Sequence, residues 1–99
     1  MILEVVDILI PPDTHQAFEE AVTRGVRECI APAHGFISYQ LHPGIENPQR
    51  YLLHICWNSL EDHTVGFRQS DAFTQWRSIV GPFFAKPPLV EHFNCVHPT

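Results

Sequence analysis

Three of the seven histidines, His54, His63 and His92, are the candidate general bases of this chain. The reference pKa of imidazole lies near neutrality, where a general base is most effective. Each histidine also has a structural alternative: His54 packs in a core or interface, His63 is solvated on a short helix, and His92 bonds to backbone near an interface. Glu91 precedes His92 on a predicted strand. Neighbouring strand residues point to opposite faces, so Glu91 does not orient the imidazole.

Aromatic and polar side chains elsewhere in the sequence are the candidate contacts to a substrate. They are Trp76, Phe67, Arg77, Phe73, Tyr39 and Asp7. A guanidinium binds a carboxylate or phenolate oxygen through two hydrogen bonds, which favours Arg77 and Arg68 as anion-binding residues. The alternatives are core packing for Phe73 and Trp76, which fall on one stripe of a helix, and surface ion pairs with nearby carboxylates for the arginines.

The spacing of the metal-binding residue types predicts no metal site. No two histidines are four residues apart, and the three cysteines lack the spacing of a zinc site. The glycine motif of a dinucleotide-binding turn and the Gly-x-Ser-x-Gly motif of a serine nucleophile are also missing from the sequence. We therefore expect no metal and no nucleotide cofactor.

Composition excludes several classes of partner. The chain has 99 residues, 44% of them hydrophobic, and a net charge of -5, which predicts one globular domain over residues 1–99. Lys86 is the only lysine and the basic residues do not cluster, so a nucleic-acid partner is not expected. The first ten residues include Glu4 and Asp7 and predict neither a signal peptide nor a membrane span. The three cysteines are accordingly expected to be reduced, mostly buried thiols in a cytoplasmic protein.

Turn residues divide the chain into strands and helices that would position these side chains. The predicted elements are a strand over 2–10, a helix from Asp13 or Thr14 to about Ile30, strands over 36–42 and 50–57, a short helix from Leu60 to about Phe67, a helix capped by Ser70 and ended by Gly81-Pro82, and a strand over 89–96. This order predicts an α+β, ferredoxin-like βαββαβ fold, with a four-stranded antiparallel sheet and helices on one face.

The third predicted strand is apolar on both faces. Tyr51, Leu53, Ile55 and Trp57 share one face, and Leu52, His54 and Cys56 share the other. Helices on one side leave the second face open, so the pattern predicts a homodimer through the sheet face. The alternative is a monomer in which the side chains of both faces pack into one small core.

The C-terminal half carries a pattern that resembles a known family. Its motifs are Trp57-Asn58-Ser59-Leu60-Glu61-Asp62-His63, Phe67-Arg68-Gln69-Ser70, Phe73, Trp76-Arg77, Gly81-Pro82-Phe83-Phe84 and Val90-Glu91-His92-Phe93. A strand ending in Trp, a Ser-x-Glu helix start, a Ser-x-x-Phe helix and a final strand are similar to those of the antibiotic biosynthesis monooxygenase family of dimeric α+β barrels. The resemblance implies that fold. It also implies a range of activities, among them oxidation of phenols to quinones by dioxygen without metal or flavin, and haem degradation.

The haem-degrading branch of that family does not fit this sequence. The resemblance places Arg77 where that branch has an iron-binding histidine, and a charged guanidinium does not bind iron. Phe67 stands in place of the branch's tryptophan, and Asp7 falls near its first-strand asparagine. Haem degradation is therefore not expected.

The resemblance favours a cofactor-independent monooxygenase that oxidises a small aromatic or quinol-type compound with dioxygen. Two alternatives stay open at this point. One is a non-enzymatic dimeric ligand-binding or stress-response protein, which would need no acid–base residues. The other is an enzyme similar to polyketide cyclases, in which His54 or His92 would act with Tyr39.

Overall fold

A computed structural model describes residues 1–96, and within them the predicted order βαββαβ is confirmed. The elements are β1 (Ile2–Leu9), α1 (His15–Gly25), β2 (Phe36–Pro43), β3 (Arg50–Trp57), α2 (Asp71–Val80) and β4 (Leu89–Asn94). A π-helical turn, Val26–Ile30, extends α1, and a second π-helical turn, Asp62–Phe67, lies between β3 and α2. The prediction placed the end of β1 one residue late and the end of β4 two residues late.

The four strands form one antiparallel sheet in the order β2-β3-β1-β4. In this register Glu4 of β1 lies opposite Ile55 of β3 on one side and opposite His92 of β4 on the other. Trp57 is two residues beyond Ile55 on the same face and is therefore a diagonal neighbour of Glu4. The sheet register thus brings residues from three strands together at one end of the sheet.

Both helices cover the same face of the sheet. Phe18 of α1 and Val80 of α2 share one buried cluster with Leu53 of β3. The two helices approach closely at Gly25, where an added Cβ would lie 2.7 Å from Cε3 of Trp76. This close approach fixes the position of the Trp76 ring over the sheet.

Side-chain caps set the starts of the helical segments between β3 and β4. The Ser59 hydroxyl accepts the Asp62 backbone N–H at 3.2 Å. The Ser70 hydroxyl accepts that of Phe73 at 3.4 Å, and the sequence predicts this second cap. Between them, the Arg68 backbone N–H donates to the carbonyl of His63 at 2.9 Å, five residues earlier. This bond closes the π-helical turn that carries His63, and such turns are frequent at functional sites.

The opposite face of the sheet is covered by no helix of the described chain. Its half-buried side chains include Leu3, Val5, Asp7, Leu52, His54 and Cys56. The expectation that the thiols are mostly buried is wrong, because only Cys29 is buried, whereas Cys56 is half-buried and Cys95 is exposed. No helix within residues 1–96 is long and apolar enough to span a bilayer.

Candidate functional site

A cavity of about 380 Å³ lies between α2 and the face of β1 and β4 that the helices cover. Its aromatic wall is formed by Phe73, Trp76 and Phe84. Aliphatic side chains of β1 and β4 form its floor. A planar apolar molecule is therefore the kind of ligand that this lining would bury best.

The buried carboxylate of Glu4 lies at one end of the cavity, where ring nitrogens of Trp57 and His63 contact it. The indole N–H of Trp57 donates to Oε1 of Glu4 at 2.9 Å. Oε2 of Glu4 lies 3.4 Å from Nε2 of His63. Nδ1 of His63 in turn lies 2.8 Å from Nε2 of His92, so one of these two nitrogens donates to the other. We call Glu4, Trp57, His63 and His92 the Glu4 cluster.

Burial controls the charge of Glu4. Glu4 is 5% exposed, and desolvation raises the pKa of its carboxyl group to about 7. The hydrogen bond from Trp57 and the positive charge of Arg68 act in the opposite direction and lower this pKa. Near neutrality, therefore, Glu4 exchanges a proton readily, although it is a carboxyl group.

The two histidines of the cluster are held in their neutral form. His63 is 3% exposed, and desolvation lowers its pKa to about 4, with further contributions from Arg68 and His92. Desolvation and Arg68 also lower the pKa of His92. A neutral imidazole carries one N–H and one acceptor nitrogen, so each ring can accept a proton at one nitrogen while releasing one from the other.

Two arginines stand at the cavity without carboxylate partners. Arg68 and Arg77 line it, and neither lies within 4 Å of a carboxylate oxygen in the part of the chain that the structure describes. The alternative expectation of surface ion pairs is therefore wrong for both. The Arg77 guanidinium lies 6.0 Å from the centre of the Phe73 ring and 5.6 Å from that of Phe84. This arrangement can hold an anionic group of an aromatic ligand.

The structure brings together five of the residues proposed from the sequence. His63, Phe73, Trp76 and Arg77 line the cavity, and His92 reaches it through His63. The expectation that His63 is solvated is wrong, because its ring stacks on Trp57 with 5.5 Å between centres and faces the sheet. Phe67 is buried behind the lining.

Phe67 supports the aromatic wall from behind. Its ring lies 5.7 Å from that of Trp57 and packs edge-on against Phe73, also at 5.7 Å. Phe67 is 4% exposed and does not belong to the cavity lining. It acts on the site by fixing the positions of these two rings.

The other three proposed residues lie elsewhere. Asp7 is on the open sheet face, where its carboxylate accepts two hydrogen bonds from Arg50 at 3.0 and 2.8 Å. His54 is on that face too, with its ring 4.7 Å from that of His42. Tyr39 lies on β2 opposite Ile55, so it is on the other face of the sheet from His54 and at the opposite edge from His92. The pairing of Tyr39 with His54 or His92 that a cyclase-like reaction would need is therefore not present in this arrangement.

Glu4 and Trp57 are the two members of the Glu4 cluster that the sequence patterns did not predict as site residues. The signal for Glu4 was the period of two along β1, which puts it on the same face as Ile2, Val6 and Ile8. A carboxylate among inward-facing aliphatic residues requires a partner. Trp57 ends β3 on the corresponding face and supplies that partner.

The described chain offers no metal centre by side-chain geometry. Within residues 1–96, no three His, Cys, Asp or Glu side chains are grouped so that they could hold an ion. Every buried side-chain nitrogen or oxygen atom among these residues has a hydrogen-bond partner. The ionisable residues that line the cavity, Glu4, His63, Arg68 and Arg77, can supply proton transfer and anion binding.

Comparison with known proteins identifies related chains. A family model described as antibiotic biosynthesis monooxygenase matches residues 1–78. The uncharacterized protein YczJ of Bacillus subtilis (strain 168) is 35% identical over 96 residues, which are 97% of this chain and all of that protein. A crystal structure from Bordetella bronchiseptica that carries the family's name is 40% identical, with a TM-score of 0.90 and 97% of each chain covered.

A more distant structure shares the fold. It is a monooxygenase from the gene ActVA-Orf6 of Streptomyces coelicolor in complex with the ligand nanaomycin D, with 22% identity and a TM-score of 0.80. The match covers 99% of this chain and 92% of that one. Together these matches confirm the fold and the family that the motif pattern predicts.

Proposed function

This chain belongs to the antibiotic biosynthesis monooxygenase family, and from that premise we propose that it oxidises a small hydroxyaromatic compound with dioxygen and without a cofactor. The observation that carries the proposal is the cavity walled by Phe73, Trp76 and Phe84, with Arg68 and Arg77 beside it. Such a lining excludes water from a planar ring and stabilises negative charge that develops on its oxygen. The Streptomyces coelicolor protein of the same fold binds the ligand nanaomycin D.

The proposed reaction balances without an external reductant. A phenol with a free ring position, or an anthrone with a CH₂ group, takes up one O₂. One oxygen atom becomes the new carbonyl, and the other leaves in water together with two hydrogens of the substrate. The chain's part is to bind the ring, stabilise the phenolate with its arginines and accept the first proton.

Oxygen uptake with a panel of hydroquinones, naphthols and anthrones tests this function. From naphthols and anthrones we expect one O₂ consumed per quinone formed, with one ¹⁸O atom from ¹⁸O₂ in the product; a hydroquinone should give a hydroxyquinone that carries one ¹⁸O atom. Naphthols that carry a carboxylate should bind more tightly than their unsubstituted counterparts, because the two arginines can pair with that group. Tight binding of the panel without oxygen uptake would contradict the proposal and favour a ligand-binding protein.

The active form is proposed to be a homodimer through the open sheet face, in the cytoplasm. This face presents Leu3, Val5 and Leu52, which are half-buried, and Phe93, which is 48% exposed. Packing two such faces would remove this apolar surface from water, which stabilises the dimer by about 25 cal/mol for each Å² that is buried.

The thiols support the proposed cytoplasmic location. Cys29, Cys56 and Cys95 are unpaired, which fits a reducing compartment.

Leu52→Glu is expected to turn the dimer into a monomer, because it puts a charge at the middle of the proposed interface. Sedimentation should give twice the mass of one chain for the wild type and a single-chain mass for the variant. Val65→Glu is the matched control, since Val65 is 52% exposed on the helical side of the sheet. A wild-type protein of single-chain mass, or an unchanged mass for Leu52→Glu, would contradict the proposed interface.

A further inference from the structure

Glu4 is the one carboxylate that lines the cavity in the described chain. Each of its oxygens has one partner: Oε1 accepts the Trp57 N–H, and Oε2 faces Nε2 of His63. A carboxylate oxygen has two lone-pair sites, so a lone pair remains on each for a hydroxyl group in the cavity. The carboxylate is thus fixed in position and still able to accept a proton.

The ring nitrogens beyond Glu4 form a series of close contacts. His63 contacts Glu4 through Nε2 and His92 through Nδ1, so the two ends of its ring contact different partners. His92 is half-buried on β4, the edge strand of the sheet, and Nδ1 is its remaining ring nitrogen. This series therefore runs from the cavity to the edge of the sheet.

We propose that Glu4 is the catalytic base of this site, which removes the proton of a hydroxyaromatic compound in the cavity, and that His63 and His92 conduct this proton to the sheet edge. The inference rests on the proposed function for the identity of the substrate. It assigns the proton-accepting role to a residue that neither the sequence motifs nor the family resemblance singles out.

Each transfer conserves protons and electron pairs. The substrate O–H bond breaks, its electron pair stays on the substrate as phenolate, and the proton joins Glu4. The Glu4 proton then moves to Nε2 of His63 while the Nδ1 proton of His63 moves to His92. His92 finally releases its own Nδ1 proton to water. No step leaves a charged imidazole inside the core, which its burial would disfavour.

The charges around the cluster favour Glu4 as the group that takes up the substrate's proton. Glu4 is the stronger base of the two cavity-lining groups, since its pKa is about 7 and that of His63 is about 4. The positive charge of Arg68 lowers the pKa of all three titrating residues and thus favours the ionised form of Glu4. Arg68 and Arg77 also stand where they would stabilise the phenolate once the proton has left.

Anaerobic binding of 4-nitrophenol tests Glu4 as the base, because the phenol and its phenolate absorb at different wavelengths. We expect the bound probe to be mostly ionised in the wild type at pH 7 and mostly neutral in Glu4→Gln. Under air, oxygen uptake by Glu4→Gln should fall about 100-fold or more, the usual loss for a general base. Glu61→Gln is the matched control, since Glu61 is exposed near the start of the turn that carries His63.

A measurement on the wild type does not depend on whether the variant folds. In the free wild type the ¹³C resonance of the Glu4 carboxyl group should titrate near pH 7 and should report an ionised carboxylate at pH 8, which is the form that can accept a proton. His92→Gln should keep the ionised probe but release the proton more slowly to an external indicator dye, and added imidazole should restore the rate. A probe that ionises equally in Glu4→Gln, or a Glu4 carboxyl that is still protonated at pH 8 in the free wild type, would overturn the proposal.

The two proposals fail in different ways. Oxygen uptake that is equally fast in the wild type and in Glu4→Gln removes Glu4 as the base and leaves the monooxygenase function intact. Ionisation of 4-nitrophenol that depends on Glu4, with no oxygen uptake from any compound of the panel, supports the base and removes the monooxygenase function.

Discussion

Glu4→Gln and His63→Gln are expected to change the pH dependence of stability in opposite directions. Relative to the wild type, the free energy of unfolding of Glu4→Gln should rise by about 3 kcal/mol between pH 4.5 and 7. That of His63→Gln, again relative to the wild type, should fall by about 3 kcal/mol between pH 4 and 6.5. Both residues are nearly fully buried, at 5% and 3% exposure, so solvent screening reduces these effects little.

The sign follows from which state binds the proton more tightly. Folding raises the pKa of Glu4 from 4.5 to about 7, so the folded protein binds this proton more tightly and loses stability as the pH rises through that range. Folding lowers the pKa of His63 from 6.5 to about 4, so the folded protein gains stability as the pH rises through that range. In the wild type the two contributions nearly cancel, and each single variant removes one of them.

Urea unfolding at half-unit steps from pH 4 to 8 measures both differences. Taking each variant against the wild type removes the contributions of all other titrating groups that the substitution leaves unchanged. The double variant should run nearly parallel to the wild type, and Glu61→Gln should do so as well. Two single variants with the same slope as the wild type would show that the cluster is not buried as described.

The element order could be predicted because it depends on local signals. Pro11 and Pro12 end β1 because proline cannot extend a ladder, and Ser70 caps α2 through its own hydroxyl. The exact strand ends were less predictable. β4 ends at Asn94 because its pairing with β1 ends there, opposite Ile2, and that limit belongs to the register and not to the sequence of β4.

The site was only partly predictable because its members meet through sheet order. His63 and His92 are 29 residues apart and meet because β4 pairs with β1 and the 62–67 turn lies over the same end of the sheet. The π-helical winding that turns His63 inward has no clear sequence signal. Asp7 was proposed as a polar contact to the substrate, although the period of two in β1 already placed it on the face opposite Glu4.

Trp57→Phe is expected to raise the pKa of Glu4 above 7 by about one to two units. The indole N–H is the donor to Oε1 at 2.9 Å, and this hydrogen bond lowers the pKa of the carboxyl group. Hydrogen bonds to charged groups contribute about 1.5–3 kcal/mol, and one pKa unit corresponds to about 1.4 kcal/mol. Phenylalanine keeps most of the ring packing and removes the donor. Only the charge of Arg68 then opposes the rise in the pKa of Glu4 that desolvation causes.

The consequence for the reaction is a shift of the active pH range. At pH 7 Glu4 would be protonated in Trp57→Phe and unable to accept a proton, so the rate of oxygen uptake should fall about 10-fold or more. The rate should recover at higher pH, because the ionised carboxylate returns there. A purely structural defect would instead lower the rate by the same factor at every pH.

Titration of the Glu4 carboxyl ¹³C resonance measures this shift directly, and Trp76→Phe is the matched control. Trp76→Phe also removes an indole, but the indole of Trp76 lines the cavity and makes no hydrogen bond to Glu4 in the described chain. Any water that Trp76→Phe admits would lower the pKa of Glu4, because it relieves desolvation. A Glu4 that titrates at the same pH in Trp57→Phe as in the wild type would show that the indole does not stabilise its ionised form.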